Sequence, residues 1–206
     1  MKTLLSILTL GLFLGFSNYK APADHLFEVE SGKIVYEITG MLKGTEILYW
    51  DDWGNKQRKE TNSVIEMMGF KQEQKSILIT IGVDIYNLDP LKKTGTHIIN
   101  DMFEGQTMEQ KAEYGKQALE AIGGVQKADE TILGKTCEVW EVASMKSKVW
   151  IWKLLPLKSS VAIMDPPQIS TAIEIQTDIS VSSDKFEISG YQIKELGKVS
   201  EIGSGY

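Results

Sequence analysis

Between Lys33 and Thr39 the sequence KIVYEIT sets Ile34, Tyr36 and Ile38 on one side of an extended chain. Lys33, Val35, Glu37 and Thr39 fall on the other, the period-two pattern of a half-buried strand. The same reading predicts strands at Glu46–Trp50, Lys56–Met67, Ser76–Ile81 and Asp84–Leu88, with a turn at Asp51-Asp52-Trp53-Gly54-Asn55. Gly82-Val83 between the last two is a Gly-first two-residue loop, which joins antiparallel strands by a type II′ turn. Further strands are predicted at Lys135–Val142, Lys148–Lys153, Leu157–Met164, Thr171–Thr177 and Lys185–Ile188, with Asp165-Pro166-Pro167 as an interruption.

The period changes once. Met108, Ala112, Gly115, Leu119 and Ile122 recur at spacings of four and three, which predicts a helix over Met108–Ile122. Thr107 with Gln110 forms a capping box at its start, and Gly123-Gly124 supplies the stop. About ten strands joined by short connections, with one or two helices, make an α+β chain that is mainly antiparallel β. One helix laid on one face of the sheet is the expected architecture.

Two strands carry more apolar surface than a sheet with one wet face needs. In KVWIWK, Val149 and Ile151 point one way while Trp150 and Trp152 point the other; in EILYW, Ile47 and Tyr49 oppose Leu48 and Trp50. The second apolar face must meet a helix, another sheet, a partner or an apolar ligand. Trp50, Trp140, Trp150 and Trp152 are the wall candidates for an apolar ligand, with Met108 and Leu119 of the helix as its cover.

Composition narrows the class. The chain has 206 residues, 42% hydrophobic and 24% charged, in ordinary globular proportions. Its formal net charge of -6 offers no basic field for nucleic acid. Met1-Lys2 followed by the apolar run Leu4–Phe16 reads as a signal peptide over residues 1–17, because the run is too short to span a bilayer core. Gly15-Phe16-Ser17 satisfies the small-residue rule for cleavage, with Ala21-Pro22-Ala23 as a second choice. Residues 18–206 are then a single exported domain, periplasmic or secreted, with no integral membrane span.

The chemical inventory is short. Cys137 is the single cysteine, so the domain is held by its core and not by an internal disulfide. His25 and His97 stand in no zinc-ligand spacing, Asp51-Asp52 lacks the alternating oxygens of a calcium loop, and no nucleophile elbow or phosphate loop is present. No cofactor, no metal and no catalytic residue is expected. Glu37 with Glu46 on neighbouring strands is the one carboxylate pair that a hydrolase reading would use.

Ser31–Gly40 (SGKIVYEITG), Gly44–Gly54 (GTEILYWDDWG), Ile132–Glu141 (ILGKTCEVWE) and Val149–Lys158 (VWIWKLLPLK) together resemble the strand pattern of secreted bacterial proteins related to the periplasmic lipoprotein carrier LolA. That resemblance spans roughly Phe27–Ile188 and implies an unclosed half β-barrel wrapped around one or two helices. It also implies a concave apolar face that holds a lipid or lipoprotein acyl chain, or docks an envelope protein partner. Arg58 is the only arginine, in a context different from that of the carrier's functional arginine, so lipoprotein delivery is not carried over.

Overall fold

The computed structural model describes residues 25–67, 70–102, 117, 119–163 and 165–202. Twelve strands run in chain order: β1 (Gly32–Thr39), β2 (Leu42–Asp51), β3 (Lys56–Met67), β4 (Phe70–Ile81), β5 (Asp84–Asp89), β6 (Thr94–Ile99), β7 (Gly124–Ile132), β8 (Lys135–Val142), β9 (Ser147–Trp152), β10 (Leu155–Val161), β11 (Gln168–Thr177) and β12 (Gln192–Lys198). They form one sheet in the order β12-β6-β5-β4-β3-β2-β1-β11-β10-β9-β8-β7, and its two outer strands, β12 and β7, do not pair. The sheet is thus an unclosed antiparallel half-barrel, with few helices among the described residues, the architecture that the resemblance implied. Every neighbouring pair is antiparallel except β12 with β6, which is parallel and is reached by the long excursion from β6 to the chain's end.

Hairpin chemistry sets the register of the first half. Ile81 pairs with Asp84 across Gly82-Val83, and Gly82 takes φ 59°, a value that a residue without Cβ adopts at no cost. β3 and β4 pair along their whole length, from Lys56 with Ile81 to Met67 with Phe70. β4 therefore starts six residues before the apolar run SILITI that marks it in the sequence.

The main core lies on one side of β1, β2 and β8–β11. Ile34, Tyr36, Leu48, Trp50, Cys137, Val139, Trp150, Leu155, Leu157 and Ala172 pack there. Phe27 and Val29, from the strap that precedes β1, join the same cluster. The strap is pinned by backbone bonds from Phe27 N–H to Trp53 O (2.9 Å) and from Trp53 N–H to Glu30 O (2.9 Å). Trp50 is fully buried and donates its indole N–H to Val29 O at 3.1 Å, while Tyr36 donates its hydroxyl to Pro156 O at 2.9 Å. Gly32 lets the Trp50 ring lie against the β1 backbone, since a Cβ there would overlap that ring and the Gln176 carbonyl.

Three strands and one turn differ from the sequence reading. β7 and β12 are edge strands with almost wholly exposed side chains, so no apolar alternation marks them. β6 (TGTHII) is broken in pattern by Gly95, where a Cβ would strike Leu88. Lys185–Ile188, read as a strand, is instead part of a 3-10 turn over Ser183–Phe186. Its alternation does bury Phe186, but its amides bond locally, Lys185 N–H to Ser182 O and Glu187 N–H to Asp184 O, and not to a neighbouring strand.

Candidate functional site

β8 and β9 are apolar on both faces, and the two faces belong to different clusters. Cys137, Val139 and Trp150 point into the main core, with Trp152 packed at its margin. Trp140, Val142, Val149 and Ile151 point the other way, where they meet Leu119 and Met145. The antiparallel register sets Trp140 beside Val149 and Val139 beside Trp150, so the alternation read in KVWIWK fixes both faces at once.

Leu119 belongs to a helical turn made by Gln117 and residues 119–121, the described end of the helix expected over Met108–Ile122. Gly123 closes it with φ 84° and an N–H bond to Glu120 O at 2.9 Å, as the double glycine led one to expect. Leu119 and Trp140 are each 5% exposed, whereas Ile122, at the end of the helical turn, is 43% exposed. The seam between the helical turn and the β8–β9 face is therefore lined with apolar groups. Met108 and the capping box lie outside the described residues.

The four tryptophans do not converge on one wall. Trp50 is sealed in the main core under the strap. Trp150 is also in that core, and its edge is polar: the indole N–H donates to Glu130 Oε2 at 2.7 Å, and Lys148 Nζ sits 2.9 Å from Glu130 Oε1. Lys148 and then the Trp150 indole hold the Glu130 carboxyl below its ordinary range. Lys148 and Lys158 also lie over the Trp150 ring, at 4.8 and 4.5 Å. Trp152 is half-buried at the end of β9 and borders a pocket formed by the turns. Trp140 alone shares a cluster with the helix residue Leu119.

The carboxylate pair does not form. Glu46 pairs with Tyr36 and Glu37 with Thr45, so the two carboxylates project from opposite faces of the sheet. Glu46 instead accepts from Thr61 Oγ1 at 3.0 Å and lies 3.5 Å from Lys59 Nζ. Burial, and then the charge of Glu46, raises the Tyr36 hydroxyl well above its usual pKa. Among the described residues no group of three His, Cys, Asp or Glu could hold a metal ion. Burial pushes the Cys137 thiol up to about 11, which leaves it protonated and inert as a nucleophile.

His97, which the sequence reading set aside as standing in no zinc-ligand spacing, ties three strands together. Its ring lies between Asp84 Oδ1 (2.8 Å from Nε2) and Glu195 Oε2 (2.5 Å from Nδ1) and stacks on Tyr86 at 4.4 Å. The contact ties β12 to β6 and β5, and nothing in the local sequence THII marks it, because its partners lie 13 and 98 residues away.

No protein-family model matches the chain, and no curated protein matches it. Solved structures do. A conserved protein from Thermus thermophilus, itself uncharacterized, superposes with a TM-score of 0.50 at 7% identity, over 82% of this chain and 91% of that one. The chain shares that protein's fold. LprF from Mycobacterium bovis aligns at a TM-score of 0.34 and 8% identity over 75% of this chain and 89% of its own. A domain described as outer membrane lipoprotein-sorting, from Vibrio parahaemolyticus, aligns at 0.28 and 11% identity over 77% and 89%. The Thermus superposition speaks for the half-barrel; the chemistry of the site rests on this chain's own residues. No helix among the described residues is long and apolar enough to cross a membrane.

Proposed function

We propose that this protein is a non-catalytic carrier or binder of an apolar chain, such as a lipid or lipoprotein acyl group, seated between the helical turn at Leu119 and the β8–β9 face. One observation carries the reading: Trp140, Val142, Val149 and Ile151 form an apolar surface separate from the main core, met in the described part of the chain by Leu119 of the helical turn and by Met145. The strands themselves are rigid, paired on both sides, so a ligand enters by displacement of the helical cover and not by opening of the sheet. Trp50 and Trp150 then serve as the fixed wall of the barrel behind β9. Trp140 and Leu119 make the contact. Glu37 and Glu46, the pair that a hydrolase reading would use, face opposite sides of the sheet.

The magnitude is adequate. Burial contributes about 0.8 kcal/mol per methylene, so roughly eight buried methylenes supply about 6 kcal/mol, a dissociation constant of some tens of micromolar. Export to the periplasm or beyond belongs to the same reading, supported by the apolar run at Leu4–Phe16.

A fluorescent long-chain fatty acid provides the test. Saturable micromolar binding, with energy transfer from tryptophan to the probe, is expected for the native chain, and about tenfold weaker binding for Leu119→Ala. No saturable binding, or equal binding by both chains, would refute the site. Competition by an envelope protein and not by lipid would assign the same face to protein docking.

A further inference from the structure

A second site is built at the turn end of the sheet, on the opposite side of the β8–β9 ribbon from Trp140. There the β2–β3, β7–β8 and β9–β10 turns, the strap before β1 and the chain leaving β11 enclose a half-open pocket of about 190 Å³. Its walls include two indoles, Trp53 and Trp152, and charged groups of both signs, Lys135 and Lys153 against Glu28, Glu30 and Asp178. Three of these seven residues, Trp53 (φ 54°), Lys153 (φ 49°) and Asp178 (φ 58°), hold left-handed backbone that side chains rarely adopt, each in a different connection. Such strain persists where surrounding structure imposes it, and it gathers at ligand clamps.

The charges are arranged for something other than each other. Lys135 Nζ and Lys153 Nζ both lie over the Trp152 ring, at 4.8 and 5.3 Å. Each thus brings an ammonium group to that ring, and among the described residues neither forms an ion pair with a carboxylate. The carboxylates of Glu30 and Asp178 border the same pocket, also without an ion pair among the described residues. Trp53 is backed by His25, stacked at 3.9 Å, which fixes its ring as a wall. The two lysines of the lining suit an anion. Its indole and carboxylates suit a cation, the environment that quaternary ammonium groups select.

We propose that this pocket binds a zwitterion in which a phosphate ester and an ammonium group are joined by a short linker, as in phosphocholine or phosphoethanolamine. Lys135 and Lys153 take the phosphate; Trp53, Glu30 and Asp178 take the ammonium. The source is either a phospholipid headgroup or the free compound. The site does not depend on the acyl-chain reading, since the two lie on opposite faces of β8–β9 and each can be lost without the other.

The test is a titration of the full exported chain with free phosphocholine, inorganic phosphate and choline, read by calorimetry and by tryptophan emission, alongside binding to phosphatidylcholine vesicles. Phosphocholine is expected to bind about tenfold or more tighter than either half alone. Lys135→Met with Lys153→Met, and separately Glu30→Gln with Asp178→Asn, should each weaken it by about tenfold, while the thermal midpoint of these exposed-site variants stays near that of the native chain. Vesicle binding lost in the same variants assigns the headgroup as the source; free phosphocholine bound without vesicle binding assigns the soluble compound. Binding to neither, binding that both variant pairs leave unchanged, or inorganic phosphate binding as tightly as phosphocholine would overturn the proposal.

Discussion

Replacement of Phe27 by Ala is the sharpest test of how the half-barrel is closed. Phe27 belongs to the strap and not to the sheet, yet it is 3% exposed and packs edge-to-face on Trp50, with ring centroids 6.0 Å apart and planes at 84°. Its ring also lies against Gly54, where an added Cβ would sit 2.7 Å from Cδ2. Removal of a buried Phe side chain costs about 3–5 kcal/mol, of which an edge-to-face partner accounts for roughly 1. The cavity has little freedom to collapse, because backbone bonds to Trp53 and Lys153 pin the strap on both sides of the missing ring. The upper half of that range, about 4 kcal/mol, is expected. With a urea m-value of about 2.5 kcal/mol/M for a chain of this size, the midpoint should fall by about 1.6 M, and the thermal midpoint by roughly 8–16 °C. Phe27→Leu, which keeps most of the volume, should lose about a third as much. A loss below about 1 kcal/mol for the alanine variant would mean that the strap is not a core element and would refute the reasoning.

Other expectations follow from single contacts. Gly32→Ala should destabilise by about 3 kcal/mol or more, since the new methyl meets the Trp50 ring on one side and a strand carbonyl on the other; a urea midpoint within error of the native one would contradict that packing. Cys137, fully buried and with its thiol raised to about 11, should react with a thiol reagent at about pH 8 only after denaturation; prompt reaction of the native chain would show that the core opens there. The His97 ring is raised in pKa by its bonds to Glu195 and Asp84, which outweigh its burial. A raised folded-state value means that the clasp's contribution is complete below the unfolded pKa of about 6.5 and fades as pH rises through the higher folded value. His97→Gln should therefore lose more stability, and show faster amide exchange in β12, at about pH 5.5 than at about pH 9; a gap independent of pH would sink this account.

Much of the sheet was legible because buried strands must alternate. KIVYEIT, TCEVWEV and KVWIWK are each paired on both sides, so their periodicity is dictated by two packed faces or one, and the structure follows it residue by residue. The separation of Trp140 from Cys137, and of Trp150 from Val149, was readable for the same reason. What could not be read was the rest of the neighbourhood. β7 and β12 stand at the rims, where burial imposes no pattern on the sequence, and the parallel pairing of β12 with β6 joins segments nearly a hundred residues apart. Lys185–Ile188 carried a true burial signal at Phe186, but local alternation does not say whether an amide finds a strand or its own turn. The grouping of Trp53, Trp152, Lys135 and Lys153 depends on which turns gather at one end of the sheet, a property of topology with no mark in the local sequence.

Native mass spectrometry of the chain exported by its own host, set against the denatured mass and an organic extract, addresses the central claim most directly. The account predicts that the denatured protein begins after the Leu4–Phe16 run and that the native species carries additional mass which extracts as lipid and is reduced in the Leu119→Ala chain. A native species equal in mass to the denatured one, with no extractable lipid, would contradict it.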